Sequence, residues 1–136
     1  MSGLFSDTTL VALEKALDAS GMRQKVIAHN IANVNTSGFK RSYVAFEEEL
    51  QQALGRNRRL GLRRLDARHM GPARNLQEVQ PQVKRDLSTS MRPDGNNVDI
   101  DLENTELAIN SIMYNTAATR LNQKLQQLRY IINGGR

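Results

Sequence analysis

The side chains that could do chemistry in this sequence are few and poorly spaced for it. Its two histidines are His29 and His69, and it has no cysteine, so a metal site would draw most of its ligands from carboxylates. Asp99, Asp101 and Glu103 form the tightest carboxylate set. They could hold calcium loosely, yet they lack the glycine-punctuated spacing of an EF-hand loop, and helix capping already gives them a use. A phosphate-cradling glycine loop and a nucleophile elbow are both absent from the sequence. No catalytic residue, metal ligand or cofactor is expected, and the chain reads as a non-enzyme. The lack of cysteine also rules out disulfides and leaves the redox compartment open.

Arginine is the other chemically pointed residue. The formal net charge is +5, but residues 51–92 carry ten Lys/Arg against three Asp/Glu, while both flanking segments are slightly acidic. The excess sits largely in Arg56, Arg58, Arg59, Arg63, Arg64, Arg68 and Arg74. Such a run could grip phosphates, which makes a small nucleic-acid-binding protein using segment 56–74 the alternative reading. No aromatic residue is interleaved for base stacking, and glycines break the segment. A solvated loop whose Arg56, Arg58, Arg59, Arg63 and Arg64 meet an acidic neighbour is the plainer expectation.

The elements around these residues are dominated by two helical patterns. Leu10, Leu13, Leu17, Ile27, Ile31 and Val34 lie on a seam of steps of three and four, interrupted by Ser20 and Gln24. That spacing predicts a helix over 8–34, capped by Ser6 or Asp7 and stopped by Asn33, Asn35, Thr36, Ser37 and Gly38. Leu107, Ser111, Tyr114, Ala118, Leu121, Leu125, Leu128 and Ile132 repeat the pattern, with Asp101 as N-cap and Gly134-Gly135 as the stop. Two narrow seams can bury each other as an antiparallel coiled-coil pair, within one chain or across chains. A pair of helices leaves its flanks open, and with 39% apolar and 4% aromatic residues the core is thin, so assembly is expected.

Between them, Tyr43, Phe46, Leu50 and Leu54 recur at helical spacing and predict a short helix with Tyr43 and Phe46 as packing anchors on one face. Segment 55–82 is punctuated by glycine and proline and reads as an exposed, flexible connection. Pro93-Asp94-Gly95 predicts a turn, flanked by extended pieces at 82–87 and 97–100. The expected fold is therefore mainly α. Its units are an N-terminal helix with its turn (1–38), a middle segment (39–100) and a C-terminal helix (101–136). The first residues carry no basic start followed by an apolar run, so no cleaved signal is expected, and no stretch suits a membrane span.

The segment Ala28-His29-Asn30-Ile31-Ala32-Asn33-Val34-Asn35-Thr36-Ser37-Gly38-Phe39-Lys40 resembles the signature of flagellar axial proteins, the rod, hook and hook-associated family. In that family Asn30, Asn33, Asn35, Thr36, Gly38 and Phe39 would match the motif that ends the first helix and shapes the next turn. Ser37 stands where many relatives have proline, implying a less rigid turn. Pro93-Asp94-Gly95-Asn96-Asn97-Val98-Asp99-Ile100-Asp101, with Leu107, Asn110 and Tyr114 after it, is similar to the hallmark of the family's proximal-rod branch, though Asn104-Thr105 departs from its usual Glu-Met pair. The resemblance spans both ends and skips most of 55–80. The chain also has no room for the large inserted domains of hook and distal rod relatives.

The resemblance implies a structural subunit exported unfolded through the flagellar type III apparatus, without a cleaved signal, into the rod that crosses the periplasm. Its partners would be further copies of itself, other rod proteins, the adaptor FliE, the MS ring and the export apparatus, with no nucleic acid and no membrane insertion. Its terminal helices would pack as an inner tube around the export channel, carrying torque toward the hook, and would be largely disordered before assembly. A cytoplasmic coiled-coil adaptor or export chaperone is a further rival on the same seams.

Overall fold

The computed structural model describes residues 8–54, 76–88 and 92–134. The seam of the first helix folds as α1 over Thr8–Ala32, and that of the last as α3 over Ile100–Ile132. At 1.5 Å per residue these are rods of roughly 37 and 50 Å. They run antiparallel: Asn30 meets Glu103, and ten residues back along α1 the Ser20 carbonyl meets Asn110. In that register the last turns of α3 run past Thr8.

The middle segment departs from expectation at its start. Residues 42–45 form a strand, β1 (Ser42–Ala45), and the short helix α2 spans only Glu47–Ala53. Tyr43 is therefore on the strand's exposed side rather than on a helical face, while Val44 and Phe46 turn inward. The β-branched Val44, with Tyr43, suits a pleated ribbon, and Glu47, Glu48 and Glu49 favour the positive N-terminal end of a helix beginning after Phe46. The extended piece at 82–87 is realised as β2 (Gln82–Arg85), antiparallel to β1 with Ser42 opposite Arg85 and Ala45 opposite Gln82. The extended piece at 97–100 is not a strand: Asn97 joins Phe39 by a single backbone bond of 3.3 Å, and Ile100 already opens α3.

The core is small and sits against the middle of α1, where Ala19 meets Val44, Phe46 and Val79, with Met22, Val26, Leu50 and Ala53 around them. Val79 follows a single 3-10 turn at Leu76–Glu78. Ala19 allows this close approach, since any longer side chain would hold β1 and α2 away from the helix. No described helix is long and apolar enough to cross a membrane.

The end of α1 and the start of α3 differ slightly from expectation. α1 stops at Ala32 rather than Val34. Asp99, not Asp101, caps α3: its Oδ1 accepts the Asp101 and Leu102 amides at 2.9 and 3.2 Å. Asp101 instead lies exposed in the first turn, where the helix dipole favours a negative charge. At the other end Asn133 is the C-cap and Gly134 takes φ +67°.

Candidate functional site

Where the end of α1, the start of β1 and the start of α3 come together, a polar cluster is buried at Asn30 and Glu103 and opens toward solvent at Glu106. Asn30 uses both ends of its amide on the β1 backbone, accepting from the Ser42 amide at 3.0 Å and donating to the Ser42 carbonyl at 2.8 Å. Its Nδ2 also donates to Glu103 Oε2 at 3.1 Å. Glu103 is fully buried, and its other oxygen receives Arg41 Nε. A second guanidinium nitrogen of Arg41 donates to Glu106 at 2.6 Å. Burial by itself lowers the pKa of Arg41, but hydrogen bonds and attraction from Glu103, then Glu106, outweigh it and hold the guanidinium above its ordinary value. The carboxylate of Glu103 is tolerable in the interior because both its oxygens have donors.

Next to this cluster the two signature segments fasten onto each other. Asn96, fully buried, points its Nδ2 at three carbonyls of the turn that follows α1: Asn33 at 3.0 Å, Val34 at 3.0 Å and Thr36 at 2.8 Å. Its Oδ1 accepts the Val98 amide at 2.8 Å, and its own amide binds Asp94 Oδ1 at 3.1 Å. Arg92 adds a bond to the Val34 carbonyl at 3.0 Å. Gly38 donates to the Asp94 carbonyl at 2.8 Å, and Asn97 Oδ1 accepts the Arg41 amide at 2.6 Å. Gly38 and Gly95 both take positive φ, +70° and +75°, and a Cβ on Gly95 would stand 3.8 Å from the Gly38 Cα. Two turns that need glycine are thus stacked on one another. Farther along, Asp86 is held below the usual carboxylate range by the Ser88 amide and then the Ser88 hydroxyl, while its carbonyl receives Asn97 Nδ2 at 3.1 Å.

The motif residues play different parts in this clasp. Asn30, Asn97 and Asp99 make the contacts given above, and Val98 is buried beside them. Asn33 turns back on its own helix, donating to the His29 carbonyl at 2.8 Å and accepting the Thr36 hydroxyl at 3.3 Å. Phe39 lies against His29, ring centres 5.5 Å apart, so His29 is a packing residue here. Asn35 is exposed. Asn110 is 2% exposed and donates to the Ser20 carbonyl at 3.0 Å. Tyr114 lies half open on the surface of α3, and Met22 packs against the small core as a contact filler. Asp99, Asp101 and Glu103 do not converge on one point, and no group of three potential metal-ligating side chains occurs among the described residues.

The seams are partly rotated from their predicted line. On α1, Ile27 is buried and Leu10, Leu13, Leu17, Ile31 and Val34 are half-buried, but the interruption Ser20 is buried and Gln24 is exposed. On α3, Leu107, Ala118, Leu121 and Leu128 face inward to some degree, whereas Ser111, Leu125 and Ile132 lie on the open side of the single chain. The inward line runs Glu103, Leu107, Asn110, Ala117, Leu121, Lys124, Leu128. It steps by three, four and once by seven, and it carries the polar residues Glu103, Asn110 and Lys124 off the predicted line. Arg56, Arg58, Arg59, Arg63, Arg64, Arg68, Arg74 and His69 lie outside the described residues.

The sequence did not mark Arg41, offered Asn96 only within the hallmark segment, and suggested for Glu103 a first-turn role or a loose calcium site and for Glu106 a first-turn role alone. Extending the α3 seam back from Leu107 by four residues lands on Glu103 and was the available signal.

A clasp that ties the end of an N-terminal helix to the start of a C-terminal one defines a class of protein built on its paired ends. Residues 10–40 match the model of the family described as "Flagella basal body rod protein". Over 98% of both chains the sequence is 38% identical to the flagellar basal body rod protein FlgB of Bacillus subtilis. It is 41% identical to FlgB of Borreliella burgdorferi over 72% of this chain and 76% of that one, and 29% identical to FlgB of Escherichia coli over 95% and 96%. The chain belongs to the FlgB family of flagellar basal body rod proteins.

Proposed function

We propose that this chain is a structural subunit of the flagellar rod, at its proximal end, assembling through its terminal helices into the tube around the export channel. The observation that carries the reading is the clasp: the two signature segments, some sixty residues apart, cap one another and fix the antiparallel angle of α1 and α3. The open flank of α3 supports it. Ile109, Ile112, Met113, Tyr130, Ile131 and Ile132 are exposed along one helix, more apolar surface than a free subunit keeps without use. The subunit contacts copies of itself and other rod proteins, with FliE, the MS ring and the export apparatus at the base, and it reaches the periplasm without a cleaved signal. It works as a torque-bearing part and not as an enzyme. Nothing in the described structure or among the relatives favours the nucleic-acid reading.

Peptide mass spectrometry on salt-washed hook–basal bodies, from cells with and without the gene, tests this. The chain is expected in stable amounts, with rods lost in the deletion. Intact rods in the deletion, with the chain absent from the wild-type particles, would overturn it.

A further inference from the structure

The sequence holds one Asn-Gly pair, Asn133-Gly134, and one Asp-Gly pair, Asp94-Gly95. Both are open to the same backbone chemistry, because glycine has no Cβ to shield its amide nitrogen from the side chain of the residue before it. The structure gives the two pairs opposite surroundings. Asp94 is held on every side: Oδ1 accepts the Asn96 amide at 3.1 Å, Oδ2 accepts from Arg92 at 3.1 Å, and its carbonyl receives the Gly38 amide and the Ser37 hydroxyl at 2.8 and 3.2 Å. The Gly95 amide is itself committed to the Arg92 carbonyl at 3.0 Å. Asn133, by contrast, is exposed, and the turn that carries it lies where α3 has run past the described start of α1. Tyr130, Ile131 and Ile132 are 61%, 65% and 72% exposed, so packing does not hold this turn among the described residues. Its cap bonds run from the Asn133 amide to the Arg129 carbonyl at 3.0 Å and from the Gly134 amide to the Ile131 carbonyl at 3.1 Å. With them made and ψ of Asn133 at 14°, the Gly134 nitrogen is kept off the Asn133 side chain. A terminal turn without packing opens at almost no cost, and opening frees that nitrogen.

We propose that Asn133 is a site of spontaneous deamidation in the free subunit. In the opened turn the Gly134 nitrogen attacks Asn133 Cγ. The new C–N bond closes a succinimide ring, the Cγ–Nδ2 bond breaks, and the side-chain nitrogen leaves as ammonia with the proton of the Gly134 amide. Water then opens the ring at either carbonyl to give aspartate or isoaspartate, so the net change is the gain of a water and the loss of an ammonia. Either product sets a carboxylate at the negative end of the α3 dipole, and isoaspartate also lengthens the main chain by a methylene, which spoils the spacing of the cap bonds. The last turn of α3 is thereby unseated, while the clasp at the other end of the helix is untouched. The inference does not rest on the rod reading.

The test uses the purified full-length chain, warmed for days in neutral buffer, digested with trypsin and compared by mass spectrometry with an unwarmed sample. Cleavage after Arg129 isolates Asn133 as the one asparagine of its peptide. Labelling with an isoaspartyl methyltransferase reports isoaspartate. Asn133 is expected to convert several-fold faster than the exposed Asn104 and Asn115, with isoaspartate at Asp94 unchanged from the unwarmed sample. Gly134→Ala should slow the conversion several-fold. In Asn133→Asp, amide exchange should quicken at residue 133 and Gly134 and stay as in the wild type at Arg41 and Val98. Conversion of Asn133 no faster than that of Asn104 and Asn115, or undiminished in Gly134→Ala, would overturn the proposal. Isomerisation at Asp94 as fast as the change at Asn133 would overturn the distinction between the two pairs on which it stands. Unaltered exchange at Gly134 in Asn133→Asp would overturn the unseating of the turn.

Discussion

Asn30 and Glu103, seventy-three residues apart in the chain, share a hydrogen bond of 3.1 Å in the interior between α1 and α3, and neither exposes any surface to solvent. Because Glu103 also anchors Arg41, the two helices and β1 meet at one carboxylate. Replacing Glu103 by Leu would take the buried carboxylate from Arg41 and leave the guanidinium with Glu106 alone, a loss of about 3 kcal/mol, the lower end for breaking a buried pair. Denaturant melts of the purified chain should show that loss. A double variant, Arg41→Met with Glu103→Met, should recover part of it, because no buried charge is left unpaired and only Glu106, 36% exposed, loses its partner.

Asn96 should be intolerant of even an isosteric change. Asn96→Ala leaves three carbonyls of the turn that follows α1 with one fewer donor, a loss of about 1–3 kcal/mol. Asn96→Asp should be worse than Asn96→Ala, since it sets a negative oxygen against those carbonyls. Comparing the two midpoints under the same conditions checks the order.

Gly38 offers a test of backbone strain alone. A Cβ there meets nothing within 4 Å, so Gly38→Ala should cost only the left-handed conformation, about 1–2 kcal/mol. A larger loss would mean that the turn itself rearranges, which amide exchange at Thr36 and Phe39 would reveal.

Leu121 and Leu125 should separate folding from assembly. Leu121 is half-buried toward α1, so Leu121→Ala should cost about 1–2 kcal/mol in the free chain, around half the range for a fully buried leucine. Leu125 is 41% exposed, and Leu125→Ala should stay within about 0.5 kcal/mol there. If the open side of α3 meets neighbouring subunits, both variants lower motility and rod yield. Normal motility in Leu125→Ala would count against that use of the surface.

Acid should act on the turn at Asp86. Its carboxyl has a folded pKa below the unfolded value near 3.8, so its contribution is present above that value and is lost as pH falls through the folded one. The stability gap between the wild type and Asp86→Asn should accordingly close on the acid side and stay constant from neutral pH upward. Arg41 behaves in the opposite sense: its raised pKa keeps its contribution intact through neutral and alkaline buffers, so the cluster should show no alkaline loss from that group in ordinary buffers.

How far the sequence disclosed this arrangement depended on which signal was periodic. The two long helices were legible because leucine and isoleucine recur at steps of three and four, and Pro93-Asp94-Gly95 announced its turn through residue type alone. Tyr43 misled, because Tyr43, Phe46 and Leu50 fit a helical stripe equally well when the strand that claims Tyr43 has only four residues and pairs it with Lys84, forty-one positions away. The clasp was hidden for a related reason. Asn96 and Arg41 act on groups fifty-five to sixty-five residues distant, and no local pattern marks a polar side chain for such a partner. Family likeness pointed to the right segments without saying that they touch.

The clasp also sets an order of events for the chain as it is made. Its bonds join residues 56 to 73 apart, and the Asn110 bond to α1 spans 90. Contacts of such separation come late, because the loop must be closed before any of them is gained. Until Asn96 to Asn110 have emerged, Asn30 and Arg41 lack their α3 partners and the end of α1 lacks its cap. A partly emerged chain can gather only the small core of Ala19, Val44, Phe46 and Val79, and its last third acts as the latch that fixes the two long helices on each other.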